Sequence, residues 1–142
     1  MEREDISDEE IIQKELFITE EDKMIEVKEI TELVKSFLKI DAENHRFIFL
    51  DPWFELSNYE KIAILLCVRY LGSIVKVFPN KFMTLPEIAD EMKDVQTTLS
   101  APLNRLIKER SVNIVALEKK RGYKINEMSI KKILKKIQQK NG

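Results

Sequence analysis

Apolar and polar positions alternate along this chain with two different periods, and the changes of period divide it into elements. Residues 1–10 are nearly all charged and read as disordered or frayed. A short helix fits 9–17, with Ile12, Leu16 and Phe17 on one side. A clearer one fits 22–39, DKMIEVKEITELVKSFLK, where Ile30, Leu33, Val34, Phe37 and Leu38 form a stripe at helical spacing. The period then drops to two in NHRFIFLD, which predicts a strand at 46–50 ended by Asp51-Pro52. SNYE is a capping box, so Ser57 opens a helix over about 57–77. Ile62, Leu65, Leu66, Val68, Leu71, Ile74 and Val75 make that helix apolar over much of its circumference, which predicts a central helix packed on several sides.

TLPE is a second capping box, with Thr84 at the cap and Pro86 in the first turn of a helix over 85–92. Ile88, Ala89 and Met92 face inward there. The segment KDVQTT turns the chain, and a further helix runs to about Glu109 on Leu99, Leu103, Leu106 and Ile107. Pro102 belongs in a first helical turn, which nominates Thr97 or Thr98 as the cap. SVNIVALEKKRGYKIN returns to a period of two and predicts a hairpin whose tip is Lys119-Lys120-Arg121-Gly122. Ser129 would cap a last helix over 130–139, with Ile130, Ile133, Leu134 and Ile137 as its stripe. That stripe is narrow, and a helix of about ten residues is marginal alone in water. It needs a surface: the chain's own acidic extension, or the same helix of a second chain.

Charge sharpens this division. Residues 1–56 hold 7 Lys+Arg against 17 Asp+Glu, a net of −10, while residues 57–142 hold 17 against 8, a net of +9. A basic half suits a polyanion partner. The organisation expected is an acidic N-terminal extension over 1–56, a domain over 57–128 and a basic amphipathic helix over 129–142. Few glycines and prolines argue against a β-rich fold, so the class expected is α+β, mostly helical. The opening MEREDISDEE is acidic where a secretion signal is basic and then apolar, and the longest apolar run, Ile62 to Val68, is too short for a bilayer. These features predict a soluble cytoplasmic protein without a membrane partner.

Catalytic chemistry has little to stand on. His45 and Cys67 are the only residues of their types, and neither a zinc site nor a glycine-rich phosphate loop can be assembled. His45 reads as an exposed turn residue and Cys67 as a buried small hydrophobe. No enzyme activity and no cofactor are expected.

The motifs TLPEIADEM, KDVQTT, LSAPLNRLIKE and LEKKRGYKI, in this order after a central helix, resemble a winged helix-turn-helix domain, and regulators of this type from archaea look similar. The resemblance covers about half the chain. Ala89 matches the family's small residue between the paired helices, while Lys93-Asp94 stands where the family often has glycine. It implies double-stranded DNA as partner, read by helix 97–109 and a basic wing. The residues support the same idea independently. Thr97, Thr98, Ser100, Ala101, Asn104, Arg105 and Lys108 lie outward, with no carboxylate before Glu109. Hydroxyls suit phosphates, Ala101 a thymine methyl, Asn104 adenine and Arg105 guanine. Lys119, Lys120 and Arg121 would hold phosphates. Solvated faces usually mix Glu and Lys, as this chain does over 22–35. The rival is a winged helix acting as a protein–protein module in a transcription or nucleic-acid-processing assembly. Single-stranded RNA has only Tyr123 as a main stacking candidate in the basic half. A homodimer sharing helices 129–139 and 22–39 is the expected assembly.

Overall fold

Helix α3 (Asn58–Ile74) is the centre of the computed structural model, which describes residues 7–17 and 20–141. Ser57 accepts from the Glu60 amide, and the Glu60 carboxylate accepts from the Ser57 amide, so the expected capping box closes. From Ile62 to Arg69 every residue is buried. A helix buried all round has to be covered from all sides. The covers come from both ends of the chain: α2 (Glu20–Val34) and the antiparallel hairpin of β1 (Leu38–Asp41) and β2 (Arg46–Phe49) from one, α6 (Ile130–Asn141) from the other. Between them α4 (Leu85–Met92) and α5 (Gln96–Lys108) close the remaining side, with a three-stranded sheet of β3 (Phe82–Thr84), β4 (Val112–Ala116) and β5 (Arg121–Ile125). The chain is therefore α+β and mostly helical. One hydrophobic cluster runs from Ile30 through α3 to Ile137. Preceding α2, α1 (Asp8–Leu16) is capped by Ser7 and keeps its apolar side chains in solvent.

Several expected boundaries move. The helix over 22–39 ends at Val34, where the Phe37 amide donates to the Val34 carbonyl in a turn and Leu38 opens a strand. Leu38 instead pairs with Phe49, and the Leu50 amide donates to the Phe37 carbonyl. The expected strand at 46–50 thus lies against β1 in a sheet of its own, not beside the other strands. Within the larger sheet β5 is central, in the order β3-β5-β4, with Thr84 opposite Gly122 and Ile114 opposite Tyr123. Gly122 is needed there, since a Cβ would lie 2.7 Å from the Phe82 ring. The stripe of α6 is not too narrow for a core. Ile130, Ile133, Leu134 and Ile137 are all buried against α2 and α3, each stabilising the fold by roughly 1.5–3 kcal/mol. Lys131 reaches Glu29 of α2 at 3.2 Å. Of the two surfaces expected for α6, the chain's own extension is the one used, so the stripe is not available to a second chain. Ser129 does not cap α6 either; its hydroxyl donates to the Arg110 carbonyl.

Three helices stop in the same way. The amide of Val77 donates to Gly72 and that of Lys76 to Ser73 at the end of α3. Asp94 donates to Ala89 and Lys93 to Asp90 after α4, and Ser111 donates to Leu106 and Arg110 to Ile107 after α5. Each pair is a Schellman motif, and its left-handed position is normally glycine. Here Lys76, Lys93 and Arg110 take it, at φ 62°, 54° and 63°. A side chain in that conformation costs about 1–2 kcal/mol. The positive charge at a helix C-terminus offsets roughly 0.3–1 kcal/mol of it.

Two expected outcomes follow. Lys93→Gly should raise stability by roughly 0.5–1 kcal/mol, read from the midpoint of thermal unfolding. Gly72→Ala should lower it by about 1–3 kcal/mol, despite alanine's better helix propensity. The added Cβ would lie 2.4 Å from the Phe78 ring, which is held between the Phe47 ring at 5.1 Å and the Arg69 guanidinium at 4.7 Å.

Candidate nucleic-acid interface

The second capping box sets α4. Thr84 accepts from the Glu87 amide and Glu87 from the Thr84 amide, with Pro86 in the first turn. Ile88 and Ala89 turn inward, as expected. The Lys93 motif then reverses the chain, and Asp94 points its carboxylate back: one oxygen accepts from the Val95 amide at 2.7 Å and the other from Asn58 at 3.4 Å.

Helix α5 starts earlier than its proline suggests. Val95 is the N-terminal boundary residue, without a side-chain cap, and Thr97 and Thr98 already lie inside the helix. Pro102 is therefore the seventh residue of α5. Its ring removes the usual donor to the Thr98 carbonyl. Thr98 is exposed, so water can reach that carbonyl. Leu99, Leu103 and Leu106 anchor the inner face, and Ile107 is half-buried.

The outward residues do not form one uniform face. At about 100° per residue, Thr97, Ala101, Asn104 and Lys108 fall within an arc of about 60°. All four are exposed. Thr98 and Arg105 flank that strip on one side and Ser100 on the other. Ser100 is half-buried and its hydroxyl donates to the Gln96 carbonyl, so it is turned from the strip toward its own backbone. Gln96 and Lys93, which periodicity did not single out, are exposed at the same end. An open groove of ≈ 550 Å³ runs beside them between α4 and α5, lined by Pro86, Asp90, Asp94 and Thr97 among others.

Arg105 departs from expectation. Its guanidinium lies 4.2 Å from the centre of the Tyr59 ring, and Nε is 3.2 Å from Glu109 Oε2. The Tyr59 hydroxyl donates to the other oxygen of Glu109. Arg105 is exposed but already engaged, so the free guanine reader expected from sequence is a side chain shared with α3. Burial, followed by the Glu109 carboxylate, pushes the Tyr59 hydroxyl up to about 12. The same hydrogen bond and then Arg105 hold Glu109 below its usual range.

The hairpin tip is shifted as well. The Leu117 amide donates to the Lys120 carbonyl, so the tip is Leu117 to Lys120 and includes Glu118. Arg121 opens β5 opposite Ala116, and Gly122 is buried in the sheet. Lys119, Lys120 and Arg121 are exposed all the same. Tyr123 is buried and offers no face for a stacked base. The hairpin is held to the end of α5, where the Arg110 carbonyl accepts from Asn126 Nδ2 at 2.8 Å.

No protein-family model, curated protein or solved structure matches this chain. Among the described residues no helix is long and apolar enough to cross a membrane, and no cluster of His, Cys, Asp or Glu could hold a metal ion. His45 is exposed, at positive φ in the β1–β2 turn. Cys67 is fully buried, and burial pushes its thiol far up.

The Tyr59 cluster has a pH signature. Burial also raises the Tyr70 hydroxyl to about 12, with help from Glu127. Both phenols stay neutral in the fold at a pH where an unfolded tyrosine, near 10, has ionised. Their contribution to stability is complete below pH 10 and is lost as pH rises toward 12. Urea unfolding at about pH 9 and about pH 11 should show the drop, and Tyr59→Phe should reduce it. An unchanged drop in that variant would mean that Tyr59 is not perturbed.

Proposed function

We propose that this chain binds duplex DNA, as a transcription regulator or chromosome-associated factor, using α5 and the β4–β5 hairpin as a winged helix-turn-helix domain does. The observation that carries the proposal is the strip Thr97, Ala101, Asn104 and Lys108, exposed and free of carboxylates, on the helix that follows a tight helix–turn–helix corner. The order of elements supports it: helix, strand, two helices, two strands, with the last strand central in the sheet. A helix of this width fits the major groove of B-DNA, about 12 Å across. Asn104 suits an adenine edge and Ala101 a thymine methyl. Lys119, Lys120 and Arg121 supply phosphate contacts beside it. Arg105 contributes charge more than base reading, since Glu109 and Tyr59 hold its position.

One observation favours a protein partner instead. Val95 is exposed at the start of α5, with Asp90 and Asp94 beside it along the groove. A winged helix module in a larger assembly would use such a mixed patch.

A gel-shift titration with mixed-sequence duplex at several salt concentrations separates the two. DNA binding predicts an affinity that falls steeply with salt through counterion release. Changing Lys119, Lys120 and Arg121 together to Ala should make the slope shallower by about 0.9 for each phosphate that the hairpin no longer neutralises. Asn104→Ala should leave the fold intact and weaken binding to a selected site by roughly 1–3 kcal/mol. Absence of binding at low salt moves the assignment to the protein-interaction module.

A further inference from the structure

Two apolar surfaces of this molecule are uncovered, and their chemistry is complementary. The first is α1. Ile12 and Leu16 stand one helical turn apart, with Ile11 and Phe17 flanking them. All four are exposed, Leu16 to 75% and Phe17 to 60%. Asp8, Glu9, Glu10 and Glu15 make the same helix acidic. The second surface is a groove of ≈ 370 Å³ between α2, β1 and the end of α3, walled by Val27, Val34, Leu38, Leu71, Ile74 and Val75. Ile74 and Val75 are 46% and 68% exposed there. Lys35 and Lys39 stand on its wall, Lys35 holding Glu32 at 2.8 Å, and the exposed Lys76 follows Val75.

We propose that α1 of one copy docks into this groove on a second copy, and that the exchange is reciprocal. An acidic helix with an apolar edge meets an apolar groove with lysines at its rim. The helix offers anchors one turn apart, the usual form of helix-in-groove recognition. A reciprocal exchange buries the same pair of surfaces twice and closes as a two-fold dimer.

Within one copy α1 is not seated in the groove: Ile11, Ile12, Leu16 and Phe17 stay exposed, and so do Ile74 and Val75. A second copy supplies the missing cover: its acidic α1 faces the lysine-rimmed groove, and the reciprocal arrangement covers both apolar surfaces of both chains.

The test uses full-length chains and no DNA, so the exchange and the DNA assignment fail separately. Sedimentation equilibrium at tens of micromolar should show a wild-type dimer. A helix-blocked variant, Ile12→Glu with Leu16→Glu, and a groove-blocked variant, Ile74→Glu with Val75→Glu, should each be monomeric with unchanged circular dichroism. All four positions are exposed in the monomer, so the fold should accept the charges. Titrating fluorescently labelled groove-blocked chain with helix-blocked chain should restore one docked helix, giving a saturable 1:1 complex that is tighter at low salt. A monomeric wild type, a groove-blocked or helix-blocked variant that still dimerises, or mixing that gives no complex would each overturn the proposal.

Discussion

A helix with no solvent face dictates most of this structure. From Ile62 to Arg69, α3 has nothing that tolerates water apart from the guanidinium of Arg69, which donates to the carbonyl and side chain of Asn80. Helices α4 and α5 and the three-stranded sheet cover only part of it. The rest needs α2, the β1–β2 hairpin and α6, which come from the two ends of the chain. The acidic beginning and the basic end are therefore brought together by a hydrophobic requirement, and charge follows. Lys131 meets Glu29, and Lys140 lies 3.7 Å from the buried Glu60. Part of the charge asymmetry is thus architectural: lysines of α6 answer carboxylates of α2 and α3. Lys108 of α5 and Lys119, Lys120 and Arg121 of the hairpin lie exposed, outside that pairing.

That distinction narrows the candidate interface. Seven outward residues of α5 look equivalent on a helical wheel, yet they divide into a strip of four, a hydroxyl turned to its own backbone, a flanking threonine and an arginine locked by its neighbours. Arg105 shows why. A residue at the last turn of α5 meets the first turn of α3, and Tyr59 there provides a ring for its guanidinium and a hydroxyl for its carboxylate partner. Such an arrangement orients α5 against the core and fixes the pitch at which its strip is presented.

Local features were legible in the sequence where a side chain and its partner lie three residues apart. Both capping boxes are of this kind, and Ser57 and Thr84 form them. The inward leucines of α5 and the burial of Cys67 were legible too, since periodicity and composition report them directly. What escaped was set by distant residues. Phe37 and Leu38 fit a helical stripe, and only pairing with Phe49 makes Leu38 part of a strand. Phe82 to Thr84 is too short to show a period, and it is a strand because β5 lies alongside. Pro102 marked a first turn by local rules, whereas the anchoring of Leu99, together with the bond from Val95 to Asp94, starts α5 at Gln96. Glycine is the usual signal for a left-handed helix end, and cations in that role concealed three of them.

Cys67 gives the molecule a reporter of its own. It is the sole thiol, it sits mid-helix in α3, and it is wholly enclosed by the elements that α3 gathers. A reagent in solution can reach it only when that enclosure opens, and burial keeps the thiol from ionising in the meantime. Its modification rate therefore tracks the free energy of the openings that expose α3, not the fraying of single turns. A ligand that grips only the closed form slows the same reaction in proportion to its occupancy, so one unaltered side chain registers folding and binding together.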